Sequence, residues 1–221
     1  MRVLVTAGPT REYLDAVRFL SNASSGKMGF ACARAARRAG HRVTLITGPV
    51  ALRGPAGVHL VRVTSAVEMH RAVKAAVARA DAVIMTAAVG DYRPAGRFAG
   101  KLKKAPGPLT LRLVRTPDIL RELGARKGGR ILVGFALEVQ DAVHQALLKY
   151  KKKNLDYVVL NAPRTFTADR MDAAVYREGV EVRRFRRATK DAVAAWLIRA
   201  IEALQSRPVA PQRTPRPRST S

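Results

Sequence analysis

Residues 1–30, "MRVLVTAGPTREYLDAVRFLSNASSGKMGF", begin with a β-branched, aliphatic run and pass Gly8 and Pro9. A serine-rich turn then leads into a helical pattern that starts near Lys27. A short apolar run that feeds a small-residue turn and then a helix is the opening unit of an α/β sheet. The same alternation continues in "RVTLIT", "VHLVRV", "AVIMTAA", "LTLRLV", "RILVGFA" and "DYVVLN". These runs predict a Rossmann-like, doubly wound, mainly parallel sheet covered on both faces. The helices between them carry start signals: Ser65 with Glu68 reads as a capping box, and Pro117-Asp118 opens "DILRELGARK" as a first-turn proline and acid would. After residue 170 the period changes. "DAAVYREGVEVRRF", residues 172–185, predicts a late antiparallel hairpin around Glu178-Gly179, with a closing helix from about Thr189 to Leu204. In such a sheet the ligand lies outside the carboxyl ends of the strands, so "TAGPTRE", "TAAVGDY" and "GFALE" are where chemistry is expected.

Composition limits what can be built. The chain has 221 residues, 48% of them hydrophobic, enough for one core of ordinary size. Residues 1–205 are expected to form that domain, and residues 206–221, rich in Pro, Ser, Thr and Arg, a disordered basic tail. No run of 18 apolar residues and no signal-peptide pattern is present, so a soluble, cytoplasmic protein with no membrane partner is expected. The one cysteine, Cys32, allows no internal disulfide and reads as a packing residue. The charge is less ordinary, with 41 Lys and Arg against 16 Asp and Glu. Four of the arginines lie in the tail, so the surplus belongs mostly to the body. It favours polyanionic partners: nucleic acid, nucleotides, pyrophosphate or phosphorylated metabolites.

"SNASSGKMG", residues 21–29, suggests a phosphate loop and fails both common tests. A Walker A loop needs glycine where Ser21 stands and Ser or Thr where Met28 stands. The first strand turn holds Pro9 and lacks the second and third glycines of a dinucleotide fingerprint. What remains is a turn formed by Ser24, Ser25 and Gly26 ahead of a helix whose N-terminal N–H groups can receive an anion. The alternative is that the two serines only cap that helix. His41, His59, His70 and His144 are spaced for neither a zinc site nor a triad, and no protein metal site is expected.

Several segments together resemble one family. "VTAGPTREYLDAVRFLSNASSGKMG", "TAAVGDYRP" followed by "KLKK", "VGFALE" and "KKKNLD" are similar to the signature segments of phosphopantothenoylcysteine synthetases, in family order over residues 1–204. The resemblance implies the ligase step of coenzyme A biosynthesis. In that step L-cysteine is joined to 4′-phosphopantothenate, with CTP as co-substrate, Mg2+ carried on the triphosphate and an acyl-cytidylate intermediate. By the same resemblance Asn22 contacts the acyl-cytidylate and Lys101, on a closing loop, is the essential lysine. Ser24, Ser25, Gly26 and Lys27 face the substrate phosphate. The nucleotide positions fall on Met85, Thr86, Ala87, Asp91, Lys101, Pro117, Asp118, Ile119, Leu120, Phe135, Lys149 and Lys153. Phe135 could equally be core, and Lys149 and Lys153, four apart, suit either a phosphate clamp or an exposed face. Gly90 stands where the family often has Ala, and Leu137 where a second small residue is common. The resemblance also implies a homodimer, with the late hairpin as a plausible arm, and a separate flavin-dependent decarboxylase, since the chain opens at the ligase strand.

Two other classes stay open from the residues alone. An NAD(P)-dependent reductase would explain the sheet but not "SNASSGKMG". A nucleic-acid-binding protein would explain the charge, but aromatics at 5% leave few stacking platforms.

Overall fold

The computed structural model describes residues 1–104, 106–162 and 168–206. The basic tail from residue 207 onward therefore lies outside the described residues. Six parallel strands form most of one sheet: β1 (Arg2–Ala7), β4 (Arg42–Thr47), β5 (His59–Arg62), β6 (Ala82–Met85), β9 (Ile131–Leu137) and β10 (Tyr157–Asn161). Two antiparallel strands, β11 (Arg170–Arg177) and β12 (Val180–Thr189), extend it to eight, in the order β12-β11-β10-β9-β6-β1-β4-β5. Counted along the chain, the parallel strands run third, second, first, fourth, fifth, sixth across the sheet. That is the doubly wound order, and the chain reverses direction between β1 and β6.

Burial on both faces explains the unbroken apolar runs. Val3, Val5, Ile84, Val133 and Val159 point to one side, under α1 (Lys27–Arg38) and α5 (Lys190–Gln205), where they meet Phe30, Val193 and Leu197. Leu4, Val83, Leu132 and Val158 point to the other side, under α2 (Ala66–Val77), α3 (Ile119–Ala125) and α4 (Ala142–Lys152), where they meet Met69, Leu123 and Ala146. Cys32 is fully buried in the first layer, and burial pushes its thiol up to about 12, so it packs and does not react.

Local signals mostly hold. Ser65 Oγ accepts from Glu68 N at 3.2 Å while the Glu68 carboxylate accepts from Thr64 N at 2.9 Å. Thr189 caps α5 through Ala192 N. The hairpin turns at Glu178 and Gly179, with φ of 52° and 84°. Two readings are corrected. In "LTLRLV" only β8 (Leu113–Arg115) is a strand, and it pairs with β7 (Tyr92–Pro94) outside the main sheet. Pro117 stands before α3, whose N-cap is Asp118, accepting from Arg121 N at 3.1 Å. The first loop also folds into a small hairpin of its own, β2 (Arg11–Tyr13) with β3 (Phe19–Ser21), which the sequence pattern did not reveal.

Candidate functional site

Gly29 sets the site by letting α1 approach the sheet at the reversal point. A Cβ there would fall 2.5 Å from Ala7 Cβ, 2.6 Å from Thr86 Oγ1 and 2.8 Å from Thr6 O. Only glycine fits so close a contact. The N-terminus of α1 is thereby set beside the carboxyl end of β6, where Thr86 Oγ1 donates to Thr6 O at 2.6 Å. The N-cap of α1 is Gly26, with φ of 74° and no side-chain cap, while Ser24 Oγ accepts only from Gly26 N at 3.3 Å. The serines therefore do not cap the helix, because the left-handed Gly26 stands between them and its first turn. Ser24, Ser25, Gly26 and Lys27 instead line a small cavity of about 30 Å3 with Thr86 and Phe135. The cavity also takes in Asn161 and Lys190, neither of which was expected from the sequence. Burial lowers the Lys190 ammonium pKa, and the neighbouring charge of Lys27 lowers it further. Lys27 itself pairs with Asp169.

On the other side of Phe135 lies a second cleft of about 150 Å3. Met85 and Ala87 come from the end of β6, Asp91 from the loop after it, and Phe135 from β9. Pro117, Asp118, Ile119 and Leu120 come from the start of α3, and Lys149 and Lys153 from the end of α4. Most of the expected nucleotide positions thus meet in one place, from segments well separated along the chain. Thr86 belongs to the smaller cavity and Phe135 to both. Phe135 also packs, partly buried, against the core.

The cations here are held in place. Lys149 Nζ donates to Phe135 O at 2.6 Å, and its pKa is lowered, first by burial and then by Lys153. Lys153 Nζ reaches Asp118 Oδ1 at 2.9 Å. Burial pushes the Asp118 carboxyl up, but the hydrogen bonds from Lys153 and Arg121 N outweigh it, and its pKa lies below the usual value. Thr116, which the sequence reading missed, fastens the Asp91 loop: its hydroxyl donates to Gly90 O at 2.6 Å and its N–H to Asp91 O at 3.0 Å. Val89 is the other unexpected lining residue. Among the described residues no group of three or more His, Cys, Asp or Glu is arranged to hold a metal ion.

Asn22 and Lys101 stand apart from both cavities. The Asn22 side-chain amide donates to Ala88 O at 3.0 Å and Val89 O at 3.3 Å, tying the serine turn to the loop that lines the second cleft. Lys101 is exposed on the strap between β7 and β8 and lines neither cavity.

The family described as the DNA/pantothenate metabolism flavoprotein C-terminal domain matches residues 1–204. The coenzyme A biosynthesis bifunctional protein CoaBC of Bacillus subtilis (strain 168) is 52% identical over 160 residues, 72% of this chain and 39% of that protein. A cysteine/cysteine sulfinic acid decarboxylase from an unknown prokaryotic organism is 41% identical over 209 residues, 92% of this chain and 58% of that protein. The crystal structure of the C-terminal domain of coenzyme A biosynthesis bifunctional protein CoaBC superposes with a TM-score of 0.80 at 40% identity, over 92% of this chain and 95% of that one. The chain thus spans 39% and 58% of the length of these two curated relatives.

Proposed function

The chain belongs to the family of DNA/pantothenate metabolism flavoprotein C-terminal domains, and on that premise we propose that it joins 4′-phosphopantothenate to L-cysteine, with CTP activating the carboxylate. The observation that carries this reading is the gathering of Met85, Ala87, Asp91, Pro117, Asp118, Ile119, Leu120, Phe135, Lys149 and Lys153 around one cleft. That cleft adjoins, through Phe135, a cavity at the uncapped start of α1.

The chemistry fits such a site. A carboxylate oxygen attacks the α-phosphorus of CTP, the bond to the bridging oxygen breaks and pyrophosphate leaves, giving an acyl-cytidylate. The cysteine amine then attacks the acyl carbon, CMP leaves with the electron pair of the acyl–oxygen bond, and the amine gives up a proton. Both steps concentrate negative charge, so cations and fixed N–H donors do more than a protein nucleophile would. Lys149 and Lys153 supply positive charge at the nucleotide end. Lys27, Lys190 and the α1 N–H groups supply it at the other end. The cleft, at about 150 Å3, is smaller than the roughly 300–1,000 Å3 of whole-ligand pockets, so it takes part of the nucleotide, with phosphate within reach of Lys149 and Lys153, while the rest runs toward α1. Mg2+ enters as part of the nucleotide substrate, and no protein ligand set is assigned to it. Asn22, now bonded to the Ala88 and Val89 carbonyls, acts on the acyl carbonyl by turning one amide N–H toward it.

The proposed partner in assembly is a second copy. β12 is a free sheet edge, but Arg183, Arg184, Arg186 and Arg187 make it a charged one, which disfavours self-pairing. Val180 and Val182 are exposed on the late hairpin, but more of the exposed apolar side chains lie on the arm built from β2, β3, β7, β8 and the strap: Val17, Phe19, Tyr92, Phe98, Leu109 and Leu113. We assign the dimer contact to that arm. A flavin-dependent decarboxylase would consume the product, and the reaction is expected in the cytoplasm; no described helix is long and apolar enough to cross a membrane.

The test is a nucleotide panel with phosphopantothenate and cysteine, monitored by mass. CTP is expected to support turnover at least about tenfold better than ATP, a discrimination of about 1.4 kcal/mol. Asn22→Asp should accumulate acyl-cytidylate, and Lys101→Gln should form little of it. Equal rates with ATP at subsaturating concentration would remove the CTP assignment, and normal turnover in both variants would remove the site.

A further inference from the structure

Lys101 sits on a strap that has little means of holding itself. The segment carries glycines at 96, 100 and 107, Gly100 with φ of 65°, and its large apolar side chains Phe98 and Leu109 are exposed. Yet the stretch around Lys101 is fixed residue by residue to the loop between β2 and β3. Phe98 N donates to Leu14 O at 2.8 Å and Ala16 N donates to Gly100 O at 2.9 Å. Leu102 N donates to Asp15 Oδ2 at 3.0 Å, and the Arg18 guanidinium donates to Leu102 O. Lys101 is thus the exposed residue between two neighbours that are each tied down.

Asp15 is the centre of that arrangement. Its side chain is wholly sealed from solvent although it lies in a surface loop. Val17 N and Arg18 N donate to its Oδ1, both at 2.7 Å, while Oδ2 accepts from Arg18 Nε at 2.9 Å, Arg18 Nη2 at 2.6 Å and Leu102 N. These donors, led by the Arg18 and Val17 backbone N–H groups, hold its pKa far below the usual carboxylate range. An Asp that only shaped its turn would need Val17 and Arg18 alone. The fifth donor, Leu102, lies 87 residues away in the chain and adjoins the lysine.

We infer that Asp15 is a positioning residue that acts through Lys101, fixing the stretch of strap from which the ammonium must reach the reacting phosphate. The inference rests on the ligase reading for the role of Lys101, whereas the anchoring is tested without activity. Asp15→Asn keeps an acceptor for the turn but offers an amide N–H where Leu102 N needs an oxygen. Trypsin cleavage between Lys101 and Leu102, located by mass spectrometry, should then quicken at least about tenfold, with cleavage elsewhere unchanged. Turnover should fall on the order of 10- to 100-fold through kcat, the scale expected when a transition-state group is misplaced by about 1 Å. KM for CTP should stay within about twofold. Combined with Lys101→Gln, Asp15→Asn should cost nothing further, because both act through one ammonium. If Asp15→Asn does not fold, Asp15→Ser serves, since its hydroxyl can cap the turn but is too short to reach Leu102. Unchanged cleavage at Lys101 would overturn the anchoring, and losses that multiply in the double variant would overturn the route through Lys101. If the native enzyme shows no nucleotide-dependent turnover, the ligase reading falls while the protease result still decides whether Asp15 holds the strap.

Discussion

Gly29→Ala should separate the sheet from its site more cleanly than any substitution in the cavities themselves. The added methyl would meet Ala7 Cβ at 2.5 Å, Thr86 Oγ1 at 2.6 Å and Thr6 O at 2.8 Å. Comfortable contact needs roughly 3.5–4.0 Å, so the first turn of α1 must retreat by about 1 Å. The alternatives are closed: Ala7 is fully buried in the sheet, and Thr86 Oγ1 cannot swing away without giving up its bond to Thr6 O. Overpacking of this kind destabilises by about 1–3 kcal/mol. For a domain of this size that lowers Tm by about 2–4 °C per kcal/mol. The retreat carries residues 24–27 with it, away from Thr86 and Phe135, and on the proposed reading turnover falls on the order of 10²-fold. Gly96→Ala is the control, because a Cβ there meets nothing within 4 Å. Scanning calorimetry and the mass-monitored ligase assay measure the two effects. A Gly29→Ala protein that melts within about a degree of the native one and turns over normally would refute the close approach and the site geometry built on it.

Two further outcomes follow from the second cleft. Burial lowers the pKa of Lys149, so between its folded value and the ordinary 10.5 the unfolded chain binds more protons, and stability rises with pH across that window. Lys149→Met should flatten the rise of Tm across that window below 10.5 and raise KM for CTP; a pH slope that survives the substitution would show that the burden lies elsewhere. Asp118→Asn keeps a good N-cap for α3 but removes the charge that holds Lys153, so Tm should move little while KM for CTP rises several-fold. Asp118→Ala should in addition lose about 1 kcal/mol of stability in the melt.

The main sheet was legible because β1, β4, β6, β9 and β10 are buried on both faces and so read as unbroken apolar runs. The small hairpins were not, because β2, β3, β7 and β8 have three residues each, too few for any period to show. "LTLRLV" misled for a related reason: Leu109 and Leu113 are apolar but exposed, so composition suggested a buried strand where the chain runs over the arm. The site divides in the same way. Thr86, Ala87, Asp91 and Phe135 fall in the segments that the strand-end rule picks out, whereas Met85, Asp118, Lys149 and Lys153 are identified only through the family resemblance. Thr116, Asn161 and Lys190 carry no local signal. Thr116 acts through the Gly90 carbonyl, and Lys190 reaches the serine turn only because the sheet order sets the start of α5 beside the start of α1.

The charge surplus takes on a more definite meaning from how the cavity cations are paired. Lys27 and Lys153, one at each cavity, are each bonded to a carboxylate that water reaches, Asp169 with its side chain 85% exposed and Asp118 with 46%. Exposed pairs of this kind contribute little to stability. An arriving phosphate can therefore take over either ammonium while the displaced carboxylate returns to solvent at small loss, and until then the ammonium is held at the cavity rim in a fixed rotamer. Lys149 differs, since its partner is the Phe135 carbonyl and its surroundings are buried, so its positive charge is disfavoured until an anion arrives. On the proposed reading, the nucleotide relieves an electrostatic penalty at Lys149 and replaces weak contacts at Lys27 and Lys153. Binding energy is then gained from cations already in place, and the net charge of +25 contributes mainly the field that draws the anions in.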